Sequence, residues 1–171
     1  MIPHTRPHAM FYLVASTRFR VEGESMHPNL RDGQQVLVRK LERKGLALQR
    51  GAVVAVRHPR EQRRIFIKRV VGLPGECLNL GEDAVYVNGN PLAELYLEAG
   101  GCPPGRYARQ WLVGEDEIFV LGDNRADSWD SRAFGPVPRN LVIGQVWWRC
   151  WPLRDWGPIH SPVPVAQRSQ D

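Results

Sequence analysis

Apolar residues in this chain occur in short runs that are repeatedly interrupted by glycine and proline. The 171 residues include 16 Gly and 14 Pro, and the apolar runs between them are about four to seven residues long. Runs of that length, bounded by turn formers, are typical of β-strands, because helices need longer periodic segments. With 43% apolar residues, the chain is long enough to bury one core. We therefore expect a single, mainly β domain with little helix.

Several segments carry a strand pattern. The alternation of apolar residues from Phe11 to Val21 directs one face of this leading segment towards a core or cleft. Asn88-Gly89 is the strongest hairpin signal in the chain, and Leu92–Leu97 is its expected return strand. Ala52–Val56 has no polar face, which is typical of a strand buried on both sides. Further strands are expected at Gln35–Arg39, Ile65–Val71, Ala84–Val87, Glu117–Leu121 and Val142–Trp148.

The formal net charge of +5 has two interpretations. A basic protein suits an anionic partner such as a lipid surface or a nucleic acid. The basic residues are scattered along the sequence rather than gathered in one stripe, which favours an ordinary solvated basic surface. We therefore predict no nucleic-acid partner for this chain.

The three cysteines, Cys77, Cys102 and Cys150, do not form a zinc-binding pattern, because no two of them have C-x-x-C spacing. Two alternatives remain open for these cysteines. Either Cys77 and Cys102 form a disulfide in an oxidising compartment, or all three cysteines are free thiols. The chain also has no P-loop, H-E-x-x-H or calcium-loop motif. No metal, nucleotide or other cofactor is expected.

Ser25 is the first candidate catalytic residue. It follows Gly23 on a segment that leaves an apolar strand and is stopped by Pro28, where a hydroxyl can face solvent. A serine hydroxyl is a weak nucleophile until a neighbouring base removes its proton. The surrounding residues nearly match G-x-S-x-G, but the last glycine is absent and no βαβ alternation surrounds them. A histidine triad is disfavoured, since His27 is too close in sequence to act comfortably as the base.

Lys68 is the candidate base. Successive strand side chains alternate between faces, so Lys68 shares a face with Phe66 and Val70, whereas Arg69 points to the other side. If the Lys68 face is covered, the ammonium loses water and its pKa falls, which leaves a neutral amine able to accept a proton. The alternative is a lysine whose stem packs on the sheet while its head reaches solvent, which is the commoner outcome for a strand lysine.

A third stretch, residues 122–135, is dense in side chains that form local hydrogen bonds. Its sequence is Gly-Asp-Asn-Arg-Ala-Asp-Ser-Trp-Asp-Ser-Arg-Ala-Phe-Gly. Without any functional assumption, it predicts a structured loop after the Glu117–Leu121 strand.

Taken in order, three motifs resemble the successive conserved boxes of type I signal peptidases. They are Ser25-Met26-x-Pro28-x-Leu30, then Lys68 to Gly75, then residues 122–135, followed by Trp151-Pro152-Leu153. The resemblance covers roughly residues 19 to 158. It implies a serine endopeptidase on a fold of twisted antiparallel sheets with short hairpin insertions, and it implies that the partners are precursor proteins bearing signal peptides.

The resemblance also implies roles for individual residues. Ser25 would be the nucleophile, with its backbone N–H as the oxyanion donor, and Lys68 would be the general base. Ser128 would orient the lysine amine by a hydrogen bond. Asp130 and Arg132 would form an ion pair that holds the loop, and Asp123 would add to this support. Gly23 occupies a position where some members of the family have serine, so one hydroxyl role is absent here.

Substrate preference is expected to depend on apolar residues beside Ser25. Shallow pockets that admit small side chains, as in an Ala-x-Ala end, would be formed by Phe19, Val21, Met26, Leu30 and Ile67. Without the resemblance, the same residues are equally consistent with core. The peptide would bind extended and add its backbone to a strand edge.

The expected organisation is a tail and leading segment at 1–18, a catalytic domain at 19–158 with a hairpin insertion at 76–117, and a disordered tail at 159–171. Only Met10–Ala15 is continuously apolar ahead of Ser25, whereas a spanning helix needs about 20 such residues. The resemblance nevertheless implies a cell-membrane protein with its catalytic domain on the extracytoplasmic face, so peripheral attachment or a missing anchor is expected.

Four tryptophans and two arginines suit a membrane interface, although core packing explains the tryptophans equally well. They are Trp147, Trp148, Trp151, Trp156, Arg149 and Arg154. Two other functions remain open. One is a soluble peptidase of the same family that matures a single precursor. The other is a module that is non-catalytic, or self-cleaving like the related repressors.

Overall fold

The structure is a computed structural model that describes residues 16–40, 48–81, 84–97 and 109–159. Its strands form two antiparallel sheets. The strands are β1 (Ser16–Arg20), β2 (Gln35–Arg39), β3 (Val53–Arg57), β4 (Ile65–Gly72), β5 (Cys77–Leu80), β6 (Val85–Val87), β7 (Asn90–Pro91), β8 (Gln110–Leu112), β9 (Glu117–Leu121), β10 (Val137–Pro138), β11 (Val142–Trp151) and β12 (Gly157–Pro158). The expected mainly β fold is confirmed.

The larger sheet has the strand order β1-β2-β11-β3-β4-β9-β10, and β12 pairs with β11. Each neighbouring pair from β1 to β4 is antiparallel, so β1 and β4 run in the same direction. Strand β1 pairs only with β2, and β4 pairs with β9 only from Arg69 onwards. Among the described residues, β1 and the first half of β4 therefore each keep one unpaired edge.

The smaller sheet has the order β7-β6-β5-β8 and lies within the range expected to form a hairpin insertion. Its tight turn is at Asn88-Gly89, where both φ angles are positive (51° and 81°), as the sequence indicates. The return strand expected at Leu92–Leu97 is wrong. The returning strand is only Asn90–Pro91, because the chain then turns, with Leu97 N–H donating to the Glu94 carbonyl.

Buried residues on the two faces of the larger sheet pack into separate clusters. The segment from Val53 to Val56 is fully buried, as its lack of a polar face indicates. Val53 and Ala55 pack with the residues around Ser25, whereas Val54 and Val56 pack with Val70 and the β9 side. Strand β3 therefore forms the centre of the core, and β4 lies beside it.

Residues 122–135 form a loop, as expected, that also contains the short helix α1 (Ser131–Phe134). Two 3-10 turns at Arg139–Leu141 and Leu153–Asp155 flank β11. None of the helices in the described ranges has the length and apolar character to cross a membrane. Strand β1 spans Ser16–Arg20, so the domain boundary expected between residues 18 and 19 falls inside a strand. Residues 1–15 and 160–171, which belong to the two expected tails, lie outside the described residues.

Candidate active site

Ser25 lies on a turn that leaves β1 and is fixed at both ends by backbone hydrogen bonds. Val21 N–H donates to the Gln34 carbonyl, and Leu30 N–H donates to the Met26 carbonyl. Gly23 has a φ of +77°, a conformation that a residue with a Cβ adopts only under strain. The backbone therefore requires glycine where some members of the resembled family have serine.

Lys68 reaches Ser25 from β4, 43 positions further along the chain. The Lys68 Nζ lies 2.6 Å from Ser25 Oγ, which is hydrogen-bond distance. The lysine is only 2% exposed, and its Nζ lies 5.6 Å from the centre of the Phe66 ring, which confirms that these two side chains share a face. The side chain is therefore buried to its end and does not extend into solvent.

Burial lowers the pKa of Lys68 from 10.5 to about 8, because the charged ammonium loses its hydration. The Arg132 guanidinium lowers this pKa further, whereas the carboxylates of Asp130, Asp123 and Asp127 oppose the shift. In the described part of the chain, no carboxylate hydrogen-bonds to the Lys68 amine. A substantial fraction of the amine is consequently neutral in mildly alkaline solution.

Asp123 pairs with Arg69, the residue next to Lys68. Its carboxylate accepts two hydrogen bonds from the Arg69 guanidinium, at 2.7 and 2.6 Å, and both side chains are buried. Asn29 Nδ2 donates to Asp123 at 3.0 Å and to the Tyr96 carbonyl at 2.8 Å. Asp123 therefore joins β4 to the loop of Ser25.

A second buried ion pair joins Glu94 to Arg125, and one of its hydrogen bonds, from Arg125 Nη1, is 3.0 Å long. Arg125 Nε also donates to the Gly122 carbonyl at 3.0 Å. The Tyr96 hydroxyl donates to Glu94, and burial and this carboxylate together raise the pKa of Tyr96 well above its usual value. The segment after β7 is thus connected to the loop that begins at Gly122.

Asp130 and Arg132 form the expected ion pair, with Arg132 Nε donating to Asp130 Oδ1 at 2.8 Å. The fully buried Asp130 also accepts a 2.9 Å hydrogen bond from Gly122 N–H and caps the N-terminus of α1. Arg132 Nη1 donates in turn to the Arg125 carbonyl at 2.7 Å. These contacts fix the backbone on both sides of Ser128.

Ser128 does not form the expected hydrogen bond with Lys68. Its buried Oγ has no hydrogen-bond partner among the described residues. The hydroxyl instead packs against Gly122, where an added Cβ would lie 2.1 Å from Ser128 Oγ and 2.5 Å from the Ser25 carbonyl oxygen. Only glycine permits this approach, so position 122 brings the third motif directly against the backbone of Ser25.

A groove of about 650 Å³ runs beside Ser25 and Lys68, between β1 and the first half of β4. Four of the five apolar residues expected to form substrate pockets line it, namely Phe19, Val21, Met26 and Ile67. Leu30 does not line the groove. It is fully buried and packs with Val36 and Val53, because the chain turns inward after Pro28.

The Ser25 N–H, expected as the oxyanion donor, donates no hydrogen bond within the described residues. Cys77 and Cys150 are free thiols, and Cys102 lies outside the described ranges. Within these ranges, no three His, Cys, Asp or Glu side chains are grouped so as to hold a metal ion. The reactive groups that the fold brings together at this site are the Ser25 hydroxyl and the Lys68 amine.

The chain matches the family described as "Signal peptidase, peptidase S26" over residues 8–151. The chain belongs to this signal peptidase family. Signal peptidase I V of Bacillus subtilis is 34% identical to this chain, and the match covers 75% of this chain and 82% of the relative. Signal peptidase I of Leptolyngbya laminosa is 36% identical, and the match covers 87% of this chain and 75% of the relative. A solved signal peptidase I from Enterococcus faecalis V583 is 34% identical, covers 58% of this chain and 97% of its own, and has a TM-score of 0.50.

As a signal peptidase, the protein is a serine peptidase that removes signal peptides from precursor proteins. Sequence reasoning missed Asn29, Glu94 and Tyr96, which contact the site only through the three-dimensional fold. No motif marks Glu94 or Tyr96, since both lie in the insertion. Sequence reasoning also missed the arginines that line the groove, because strand alternation places Arg18 and Arg20 on the opposite face of β1 from Phe19.

Proposed function

We propose that Ser25 is the nucleophile and Lys68 the general base of this signal peptidase. The supporting observation is the 2.6 Å distance between Lys68 Nζ and Ser25 Oγ, with the amine buried. The neutral amine takes the Ser25 proton as Oγ attacks the carbonyl carbon of the peptide bond. The resulting ammonium then gives this proton to the leaving amine of the mature protein, which leaves an ester on Ser25.

The second half of the reaction repeats the first with water. The amine of Lys68 removes a proton from water as the water oxygen attacks the ester, and the proton returns to Ser25 Oγ. The Ser25 N–H, which has no partner in the described residues, donates to the oxyanion in both steps. Asp123, Asp130 and Arg132 hold the surrounding loops, and the buried Ser128 hydroxyl, which has no partner within the described residues, would orient the amine by forming a hydrogen bond to it during turnover.

The substrate binds as an extended strand between the unpaired edges of β1 and β4. Backbone hydrogen bonds to these edges do not depend on the substrate sequence. Small side chains such as alanine then fit before the cut bond, because Phe19, Val21, Met26 and Ile67 leave only shallow space beside Ser25. The preferred precursor therefore ends its signal peptide with Ala-x-Ala.

The reaction is tested by Ser25→Ala and Lys68→Ala, with Lys40→Ala as the matched control, since Lys40 is exposed and outside the groove. We expect the first two variants to lose cleavage of an Ala-x-Ala precursor while their circular dichroism spectra are unchanged. The control keeps full activity. Retained cleavage in either site variant contradicts the proposed dyad.

The protein also acts at a membrane surface, on the extracytoplasmic face of the cell membrane. Support comes from an apolar patch formed by Trp151, Leu153 and Trp156, which are 50%, 68% and 51% exposed. The exposed Arg154 lies within it and suits anionic head groups. Indole rings favour the membrane interface.

Vesicle co-sedimentation tests this surface. We expect Trp151→Ala with Trp156→Ala to reduce binding to vesicles that contain anionic lipid. Trp129→Ala is the matched control, because Trp129 is 48% exposed but lies outside the patch. Equal loss of binding in the control, or none in the double variant, contradicts the assignment.

A further inference from the structure

The catalytic groove has a reactive end and a basic end. Strands β1 and β4 run in the same direction, and Ser25 follows the end of β1 whereas Lys68 lies in the middle of β4. The opposite end of the groove is lined by arginines from both sides. They are Arg18 and Arg20 on β1, and Arg63 and Arg64 immediately before β4.

These arginines are poorly neutralised by the protein. All four are exposed, and Glu22 is the only carboxylate residue among the described residues that line the groove. Arg64 lies 3.4 Å from the exposed Glu61 and also contacts the rings of Phe66 and Trp129. No ion pair within the described residues involves the other three arginines. Within the described residues, the groove therefore presents positive charge that is paired only at Arg64, by an exposed carboxylate.

A peptide bound in the groove would contact the arginines at a fixed number of residues from its cut bond. Lys68 follows Arg64 by four residues, and an extended strand rises about 3.3 Å per residue. The proposed pocket residues for the side preceding the cut bond are Phe19, Val21 and Ile67. Phe19 and Val21 alternate in sequence with Arg18 and Arg20, and Ile67 follows Arg63 and Arg64. The basic end therefore faces substrate residues that precede the cut bond by about four or five positions.

We propose that the arginines select precursors that carry Asp or Glu about four or five residues before the cut bond. This inference rests on the proposed function, because it assumes that the peptide occupies the groove in that orientation. A carboxylate there pairs with charges contributed by both walls, whereas a lysine is repelled. The contact is solvent-exposed, so it adds selectivity that decreases as salt screens it.

Three peptides test the proposal. They share one Ala-x-Ala end and differ only at the fourth residue before the cut bond, which is Glu, Gln or Lys. We expect kcat/KM to fall in that order, with a difference of about three- to tenfold between Glu and Lys at low salt. The difference should shrink at about 1 M salt, where the Debye length is near 3 Å.

Charge reversal assigns the preference to the groove. The double variant Arg18→Glu with Arg63→Glu changes one residue on each wall of the groove. In this variant the Lys peptide should become a better substrate than the Glu peptide. The single variant Arg63→Glu is confined to an exposed turn and should weaken the preference if the double variant fails to fold. Arg139→Glu is the matched control, because Arg139 is exposed and does not line the groove. It should keep the wild-type order.

The outcomes separate this inference from the proposed function. If no peptide is cut, or if Lys68→Ala still cuts them, the proposed function fails. If the Gln peptide is cut but the three peptides are equivalent, or if Arg139→Glu changes the order equally, only this inference is overturned. It is also overturned if the double variant loses binding to anionic vesicles while its peptide preference is unchanged, because the arginines would then serve lipid.

Discussion

Lys68 and Arg69 are consecutive cations in β4 that lie on opposite faces and have opposite electrostatic surroundings. The Arg69 guanidinium is bound by the Asp123 carboxylate through two hydrogen bonds. The Lys68 amine is bound to a hydroxyl, that of Ser25, and within the described residues it contacts no carboxylate. Arg69 is therefore a buried charge that is compensated, whereas Lys68 is a buried amine for which the neutral form is favoured.

The first prediction concerns the pH dependence of cleavage. Because the Lys68 pKa is about 8 and the neutral amine is the active form, kcat/KM should rise with pH through 8 and level off above about 9. One unit below the pKa, only about a tenth of the enzyme is active. The measurement is kcat/KM for a neutral peptide from pH 6 to 10. A profile that is flat across this range would contradict the role of Lys68 as a base.

The second prediction concerns stability. The unfolded chain has the ordinary Lys68 pKa of 10.5 and the folded chain a value of about 8, so folding is disfavoured whenever the amine is protonated. Between pH 8 and 10.5 the unfolded state holds the extra proton, and stability therefore rises with pH. Below pH 8 the full cost is present, and it corresponds to roughly 3 kcal/mol.

Lys68→Met removes this cost and keeps a side chain of similar length. At pH 6 we expect its free energy of unfolding to exceed that of the wild type by up to about 3 kcal/mol, and the excess should disappear towards pH 10.5. Urea denaturation at several pH values measures it. Lys40→Met, at an exposed position, should differ from the wild type by less than about 0.5 kcal/mol at every pH. A site variant that is less stable at pH 6 refutes the prediction.

Ser128→Ala should separate stability from catalysis. The Ser128 hydroxyl is buried without a partner, which costs about 1–3 kcal/mol, so its removal should leave the free energy of unfolding equal or higher. If Ser128 orients the Lys68 amine during turnover, kcat should nevertheless fall about tenfold or more, with KM unchanged.

Ser131→Ala is the control for Ser128→Ala. The buried Ser131 Oγ accepts a 3.0 Å hydrogen bond from Val120 N–H, so this variant should lose about 1 kcal/mol of stability. Its kcat at a temperature well below unfolding should stay near the wild-type value. If Ser128→Ala retains full kcat, Ser128 has no role in positioning the amine.

The buried ion pair between Glu94 and Arg125 provides a further prediction. Glu94→Gln leaves the guanidinium of Arg125, which is 1% exposed, without its charged partner, and should cost about 3–5 kcal/mol. Glu61→Gln breaks a similar pair with Arg64 that is more than half exposed, and should cost less than about 1 kcal/mol. Thermal or urea unfolding of both variants measures the difference. Equal losses would show that the insertion does not stabilise the Gly122 loop through Arg125.

Local patterns in the sequence predict much of this site. The alternation of side chains around Lys68 predicts that Lys68 and Phe66 lie on the same face of β4. The apolar run at Ala52–Val56 predicts the buried strand next to β4. The order of the three motifs indicates that Ser25 and residues 122–135 belong together, and Gly122 explains their close approach. These features depend on periodicity and on short, specific spacings.

Other features depend on contacts between distant segments, and no local pattern encodes them. Asp123 pairs with Arg69 because Arg69 lies opposite Leu121 at the end of β9, two residues before Asp123. The expected strand at Leu92–Leu97 is instead a turn, whose Glu94 and Tyr96 are engaged in buried polar contacts. Leu30 has the same apolar character as Val21, but only the path of the chain decides that it is core rather than groove.

The unpaired edges of β1 and β4 create a hazard as well as a site. Any strand edge with free N–H and C=O groups is a template for another copy of the same chain, and proteins commonly protect such edges with charge. Here Arg18, Arg20, Arg63 and Arg64 give both rims of the opening the same sign. Two copies that meet rim to rim bring like charges together, which disfavours pairing of their open strand edges.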